Sequence, residues 1–454
     1  MNNKQRKLTA LFVAAAMALS STAYAAGNNT KKVSAAETDI NITDGAKTST
    51  GPAIDEPVVP TKTSIRFTRL SSRKVKLNWN KSDGADGYIV YKKINNNEYK
   101  AIVNTQKLKY VDNNVKAGKK YKYYVEAVST KDENTYSTAS NEKSFKIADF
   151  VNTRHQKYSY SELSQDIKAL ENSYSDYVKV KVLGKSNDNR KLYDVVIGNP
   201  DAKKTMVVIN NIHAREYMTA QLSMAQIEQY LKSYNGSVKG VKVKSVLNKI
   251  AIHYIPMANP DGATISQFGI SKIRDKKLRR ALYKMPGASH TSTWKANARG
   301  VDLNRNSNSH FRANYGGKRG SEGFSGPSAA SEPETKAIAK LLGQLKKNKT
   351  LKGVVNYHAM GSIVFGSGGK GKVKSGTLKM YGLARSITGY TSGASYGSGG
   401  PSVGSMRDYI MEKVQSPCIT LEIGVGGCPL PTSQFASIWR KNQVLVLREA
   451  KLLS

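Results

Sequence analysis

Apolar and polar positions alternate along this chain with two different periods, and the change of period divides it. Between residues 61 and 148 the alternation falls on every second position, as in Val75-Lys-Leu-Asn-Trp79, Gly87-Tyr-Ile-Val-Tyr91 and Tyr121-Lys-Tyr-Tyr-Val125. Ser82-Asp83-Gly84, Asn95-Asn-Asn97 and Ala117-Gly118-Lys119 supply turns between them. Short strands at this spacing predict an all-β, immunoglobulin-like antiparallel sandwich. From Tyr158 the pattern lengthens. Leu163, Ile167 and Leu170 fall near helical spacing, with Ser161 as N-cap. Apolar runs predict strands at Val178–Val182, Leu192–Ile197, Met206–Ile209, Ile250–Ile255, Gly353–Tyr357 and Cys418–Ile423. Helical stretches are expected at Ala220–Leu231, Glu332–Leu345 and Arg407–Lys413. Asn259-Pro-Asp-Gly262 is a turn signal. The fold class expected here is α/β, a mixed, mostly parallel sheet with helices on both faces. Ligands of such sheets sit at the carboxyl ends of strands.

Composition adds an organisation to this pattern. The chain has 454 residues, enough for two or three domains. Lys4, Arg6 and Lys7, an apolar core over 8–19 and Ala23-Tyr24-Ala25 give residues 1–25 the layout of a secretory signal peptide. Residues 26–60 are polar and end in Pro57-Val-Val-Pro60, a disordered linker. The sandwich then covers 61–148 and the α/β domain 155–454. The signal's apolar core is too short for a membrane span and no later stretch is long enough. A secreted protein is expected, extracellular or associated with the cell wall.

Net charge is +38, with lysine spread throughout. That favours anionic surroundings such as cell-wall polymers. No nucleic-acid signature accompanies it. The two cysteines, Cys418 and Cys428, exclude a disulfide scaffold and a cysteine-based zinc cluster. Export leaves open whether they pair across the turn after Glu422 or stay free.

The candidate chemistry lies at strand ends. His213 and Glu216 follow the Met206–Ile209 run, and His358 closes the run Val354-Val-Asn-Tyr. His-x-x-Glu alone is common; a second strand-end histidine gives it weight. Imidazole nitrogens and a carboxylate oxygen suit zinc, and a two-His, one-Glu set leaves a fourth position open. His253, inside an apolar run, has the pattern of a core histidine. Asn304-Arg305 offers an amide and a guanidinium fork for a carboxylate. Glu422, at the end of an apolar strand, needs a partner or a task.

Together these residues resemble the zinc carboxypeptidase family, carboxypeptidase A-like metallopeptidases. The motifs that carry the resemblance are His213-Ala-Arg-Glu216, Ile255-Pro-Met-Ala-Asn-Pro-Asp-Gly262, Val301-Asp-Leu-Asn-Arg-Asn306, Ser331-Glu-Pro-Glu334, the His358 strand and Thr420-Leu-Glu-Ile-Gly424. The resemblance implies one zinc ion per chain on His213, Glu216 and His358. It implies Glu422 as general base and then acid, and Asn304 and Arg305 as the grip on a terminal carboxylate. Arg215 would flank the approach. Tyr396, in the Gly/Ser-rich loop 392–404, best fits the family's closing tyrosine.

Two departures bear on specificity. Where the family has an Arg after Trp to polarise the scissile carbonyl, this chain reads Trp294-Lys295-Ala-Asn-Ala-Arg299, so Lys295 or Arg299 takes that part. Arg407 aligns with the residue at the base of the specificity pocket, which implies an acidic terminal residue. At a helix start it is equally a solvated charge. The Trp-Lys-Ala-Asn stretch also resembles the bacterial branch that cleaves γ-D-glutamyl bonds. Trp79 with Gly118-Lys-Lys-Tyr121 resembles a fibronectin type III domain. Three functions follow: a secreted carboxypeptidase, a hydrolase of peptidoglycan stem peptides of the γ-D-glutamyl-diaminopimelate type, or a non-catalytic adhesion protein.

Overall fold

In a computed structural model the described residues are 58–454, apart from 70–73, 116–118, 132–133, 147–148 and 397–401. The signal expected over 1–25 and all but the last residues of the expected linker lie outside them. The chain divides into two compact units, the second beginning at Phe150.

In the first unit the period-two alternation builds two antiparallel sheets. Ile65–Arg69, Val75–Trp79 and Lys109–Asp112 form one; Lys100–Thr105, Gly87–Ile94, Lys120–Lys131 and Asn134–Ala139 run side by side in the other, where Lys143–Lys146 also pairs with Lys120–Lys131. Buried and half-buried positions alternate along Val75–Trp79. Val75, Leu77 and Trp79 from one sheet meet Tyr88, Val90, Tyr123 and Val125 from the other in a single core.

The second unit is built on an eight-stranded sheet. Four central strands are parallel: Ala251–Ile255, Thr205–Asn210, Leu351–His358 and Cys418–Glu422, in that spatial order. Lys191–Ile197 and then Val178–Lys185 extend one side antiparallel. Ile363–Phe365 joins the other side antiparallel, followed by Thr391–Ser392. Thr205–Asn210 is buried at all positions. Met206 and Val208 face a core shared with the helices Met218–Lys232 and Leu445–Leu453. Val207 and Ile209 face the helix Pro333–Lys347 through Ile338 and Leu342. The outer strand Val178–Lys185 keeps Lys179, Lys181 and Lys185 exposed, charges that discourage pairing at a free edge.

Helix boundaries differ from the sequence expectation where capping decides them. The first helix of this unit is Tyr160–Ser173 and its N-cap is Ser159, not Ser161. Ser159 and Glu162 satisfy each other's backbone N–H in a capping box. Asn259-Pro-Asp-Gly262 does not make a free turn. Asn259 caps the helix Pro260–Phe268, and Pro260 takes the first-turn position that lacks an N–H partner anyway. Among the described residues no helix is long and apolar enough to cross a membrane. Cys418 and Cys428 are both free thiols.

Candidate metal centre

Beyond the buried Thr205–Asn210 strand, Asn211 adopts a left-handed φ of 55° and turns the chain. Its amide donates to His213 O at 2.8 Å. Glu216 N donates to the same carbonyl at 3.2 Å, so His213 and Glu216 share one tight turn. Leu351–His358 runs parallel beside Thr205–Asn210 with Tyr357 opposite Asn210, and His358 therefore emerges at the same sheet end. Ligand-capable atoms of His213, Glu216 and His358 lie within 4.8 Å of one another, all three side chains being buried. His213 Nδ1 is 2.7 Å from Glu216 Oε1; His358 Nδ1 is 3.0 Å from Glu216 Oε2 and 3.1 Å from His213 Nδ1. Two imidazole nitrogens and a carboxylate that converge in this way fit a zinc ion.

Both rings are held from behind. His213 Nε2 donates to Asp302 Oδ1 at 3.2 Å. His358 Nε2 lies 3.1 Å from the Asn356 amide, whose oxygen is buried without another partner. Turned end for end, that amide presents its oxygen to the Nε2–H. Each outer bond fixes the tautomer whose Nδ1 lone pair faces a metal.

The charges of the cluster act strongly on one another. Burial works to lower the His213 pKa, yet the carboxylates of Glu216 and Asp302 outweigh it and hold it up at about 9. Burial works to raise Glu216, and the imidazoles of His213 and His358 bring it down to about 2. Asp302 is buried too, and His213 with Lys295 holds it well below the usual carboxylate range. A pKa of about 9 puts a proton on His213 at neutral pH, one that a bound metal would displace. Glu422 sits in register with His358 on the neighbouring parallel strand. Burial and the charge of Glu216 push it up to about 8, against the pull of His213 and Lys295.

Lys295 and Arg299 part company. Lys295 Nζ is 3.3 Å from Asp302 Oδ2, whereas Arg299 Nε is directed to Glu332 Oε2 at 3.9 Å. Asn259 explains how Lys295 reaches the histidines: its side-chain amide donates to Ile212 O at 3.0 Å and to Ala296 O at 3.2 Å. Ala214 N donates to Lys295 O at 2.9 Å. A Cβ on Gly262 would sit 2.4 Å from Ala296 O, so only glycine admits this approach.

Asn304 and Arg305 form a short turn capped by Asp302. Asn304 Oδ1 accepts from Met406 N at 3.0 Å, which ties this turn to the helix Met406–Tyr409 that carries Arg407. Gly404 packs so closely that a Cβ would overlap Arg305 O at 1.8 Å. The Arg407 side chain is only 15% exposed. Its guanidinium lies 3.4 Å from Asp408 Oδ1 and over the Phe365 ring at 5.9 Å, turned inward rather than into solvent. Arg215 donates to Thr293 O at 3.2 Å and to Glu322. Tyr396 ends a short turn over Gly393–Tyr396, and its side chain lies outside the described residues. His253 is buried against Asp194 at 2.9 Å, away from the cluster.

Sequence reasoning gave no role to Asp302, Asn356 or Glu322, and only a turn to Asn259. Asp302 had a signal: an acid enclosed between Val301 and Leu303. The others are visible only through contacts made in the fold.

A model of the zinc carboxypeptidase family matches residues 163–444. Gamma-D-glutamyl-L-diamino acid endopeptidase 1 of Lysinibacillus sphaericus is 24% identical over 291 residues, 63% of this chain and 70% of that protein. A zinc carboxypeptidase of Simulium vittatum is 24% identical over 321 residues, 66% of this chain and 98% of that protein. The fold is similar to bovine thrombin-activatable fibrinolysis inhibitor in complex with tick carboxypeptidase inhibitor, with a TM-score of 0.52, 20% identity and coverage of 66% of this chain and 98% of that one.

Proposed function

The chain belongs to the zinc carboxypeptidase family, and from that premise we propose that it is an exported zinc peptidase that cuts the bond before a terminal residue bearing a free carboxylate, with a preference for an acidic residue there. The observation that supports this best is the convergence of His213, Glu216 and His358 within 4.8 Å, beside Glu422 in register with His358.

When bound, a zinc ion would supply Lewis-acid charge that polarises oxygen and acidifies water. His213, Glu216 and His358 would hold it, with Asp302 and Asn356 fixing the rings. Glu422 takes a proton from the attacking water and passes it to the departing amine. Its carboxyl, pushed up by burial, is suited to holding that proton between the two steps. Lys295 faces the negative charge that develops on the carbonyl oxygen, as a preorganised cation. Asn304 and Arg305 grip the terminal carboxylate, Tyr396 closes over it, and Arg407 takes a second negative charge on the departing residue.

A cell-wall stem peptide is the second reading of the same chemistry. Diaminopimelate carries the free carboxylate that Asn304 and Arg305 need. The net charge of +38 favours anionic polymers around the enzyme, and the Lysinibacillus sphaericus relative is named for γ-D-glutamyl bonds. The fibronectin type III-like unit would serve there as a spacer. Mass spectrometry of products from peptides ending in Phe, Lys or Glu, alongside a γ-D-glutamyl-diaminopimelate muropeptide, separates the two readings. Glu422→Gln should keep zinc and lose roughly 10²–10⁴-fold in turnover; near-normal turnover in that variant rejects the assigned role.

A further inference from the structure

Beside the metal centre opens a pocket of about 380 Å³ whose walls include Arg215, Lys295, Trp294, Asp302 and Glu322, but not Asn304, Arg305 or Arg407. The pocket therefore lies apart from the groups that take the departing residue. What remains to enter it is the acyl part of the substrate. Two of its walls are cations, and one carboxylate answers both. Glu322 accepts from Arg215 Nη2 and stands 3.8 Å from Lys295 Nζ. Glu322 is 57% exposed and lies within a glycine-rich segment in which Gly316, Gly317, Gly320 and Gly323 all have positive φ. Lys295 already has a buried partner in Asp302. Arg215 has a donor to spare: its Nε is buried and has no acceptor.

We propose that this pocket is a second carboxylate subsite, for a negative charge on the acyl side of the bond to be cut, and that Glu322 is its resident counter-ion, displaced when such a substrate enters. The inference rests on the peptidase reading above. An ordinary α-linked chain brings no backbone charge to that position. A γ-linked glutamyl residue does, because its α-carboxylate stays free a few bonds from the scissile carbonyl. Arg215 is the group that binds it: a guanidinium fork matches a carboxylate, and the substrate's carboxylate takes over the bond now made to Glu322.

The test is equilibrium binding to the zinc-loaded full chain, with L-alanyl-D-glutamate and its α-carboxamide, L-alanyl-D-isoglutamine, as probes. The free carboxylate should bind about tenfold to a hundredfold tighter than the amide, as expected for a charge-assisted hydrogen bond. Arg215→Gln should erase the difference. Glu322→Gln, which leaves the metal turn untouched, should widen it severalfold by removing the competitor. Equal affinities for the two probes in the native chain, or a difference that survives Arg215→Gln in protein with full zinc, overturns the subsite. Turnover of a γ-D-glutamyl-diaminopimelate peptide is scored separately. Discrimination without turnover rejects the stem-peptide reading and leaves the subsite; turnover without discrimination does the reverse.

Discussion

Buried carboxylates stand at both ends of the segment 295–302, and Glu216 and Asp302 at one end shift in the opposite direction from Glu334 at the other. At one end Glu216 and Asp302 are held down by His213, His358 and Lys295. At the other, Asn297 donates to Glu332 at 2.8 Å and to Glu334 at 3.3 Å. There burial, with the charges of Asp261 and Glu332, pushes Glu334 up to about 8. One of its oxygens has no partner at all. Both groups belong to motifs of similar apparent importance. The difference lies in the donors. Imidazole and ammonium groups in direct contact keep Glu216 and Asp302 charged, whereas the side-chain amide of Asn297 leaves Glu334 to take up a proton. Density of acidic residues therefore does not mark the candidate metal centre; the imidazole nitrogens among them do.

The largest effect that would sharpen this contrast comes from the two cations of the joining segment. Lys295→Gln should lower kcat/KM by roughly 10²–10³-fold, since it removes a charge aimed at the developing oxyanion. Arg299→Gln, which breaks only a long contact to Glu332, should stay within about threefold of native. Steady-state kinetics on one peptide decides it, and equal losses would erase the distinction between the two ends. Next comes Asp302→Asn, expected to weaken zinc by roughly 10–100-fold in a chelator competition. Zinc uptake between pH 6 and 8 should release about one proton in the native chain, because His213 holds one up to about pH 9. The variant should release less. The smallest effect belongs to Glu334. A carboxyl whose pKa is raised on folding stabilises the fold below the unfolded pKa and loses that contribution as pH climbs through about 8. Native stability should fall across that window by up to roughly 1.4 kcal/mol per pH unit more than that of Glu334→Gln. Parallel denaturation curves for the two proteins at pH 5, 7 and 8 would place Glu334 among ordinary carboxylates.

The candidate metal ligands were legible because each stands where an apolar run stops. Periodicity finds the run, and its end points to the functional rim of a parallel sheet. Asp302 meets His213 across 89 positions of chain, a distance over which no local pattern carries information. The same holds for Glu322 and Arg215, 107 positions apart. Ser159 was missed as a cap because Ser161 also precedes the apolar stripe, and only the reciprocal bond with Glu162 separates them. The helix Gly371–Thr388 was invisible for another reason. Glycines at 371, 376 and 382 argue against a helix by propensity, and one of them is small so that Pro417 can pack against residue 376.

One carboxamide, that of Asn259, is bonded at once to the carbonyls before His213 and after Lys295. It acts as a gauge block: the separation between the metal's place and the cation opposite is set by a residue that touches neither. A lineage that exchanged arginine for lysine at 295, or lengthened the glycine-rich segment beyond it, would keep that calibration as long as the block stayed in place.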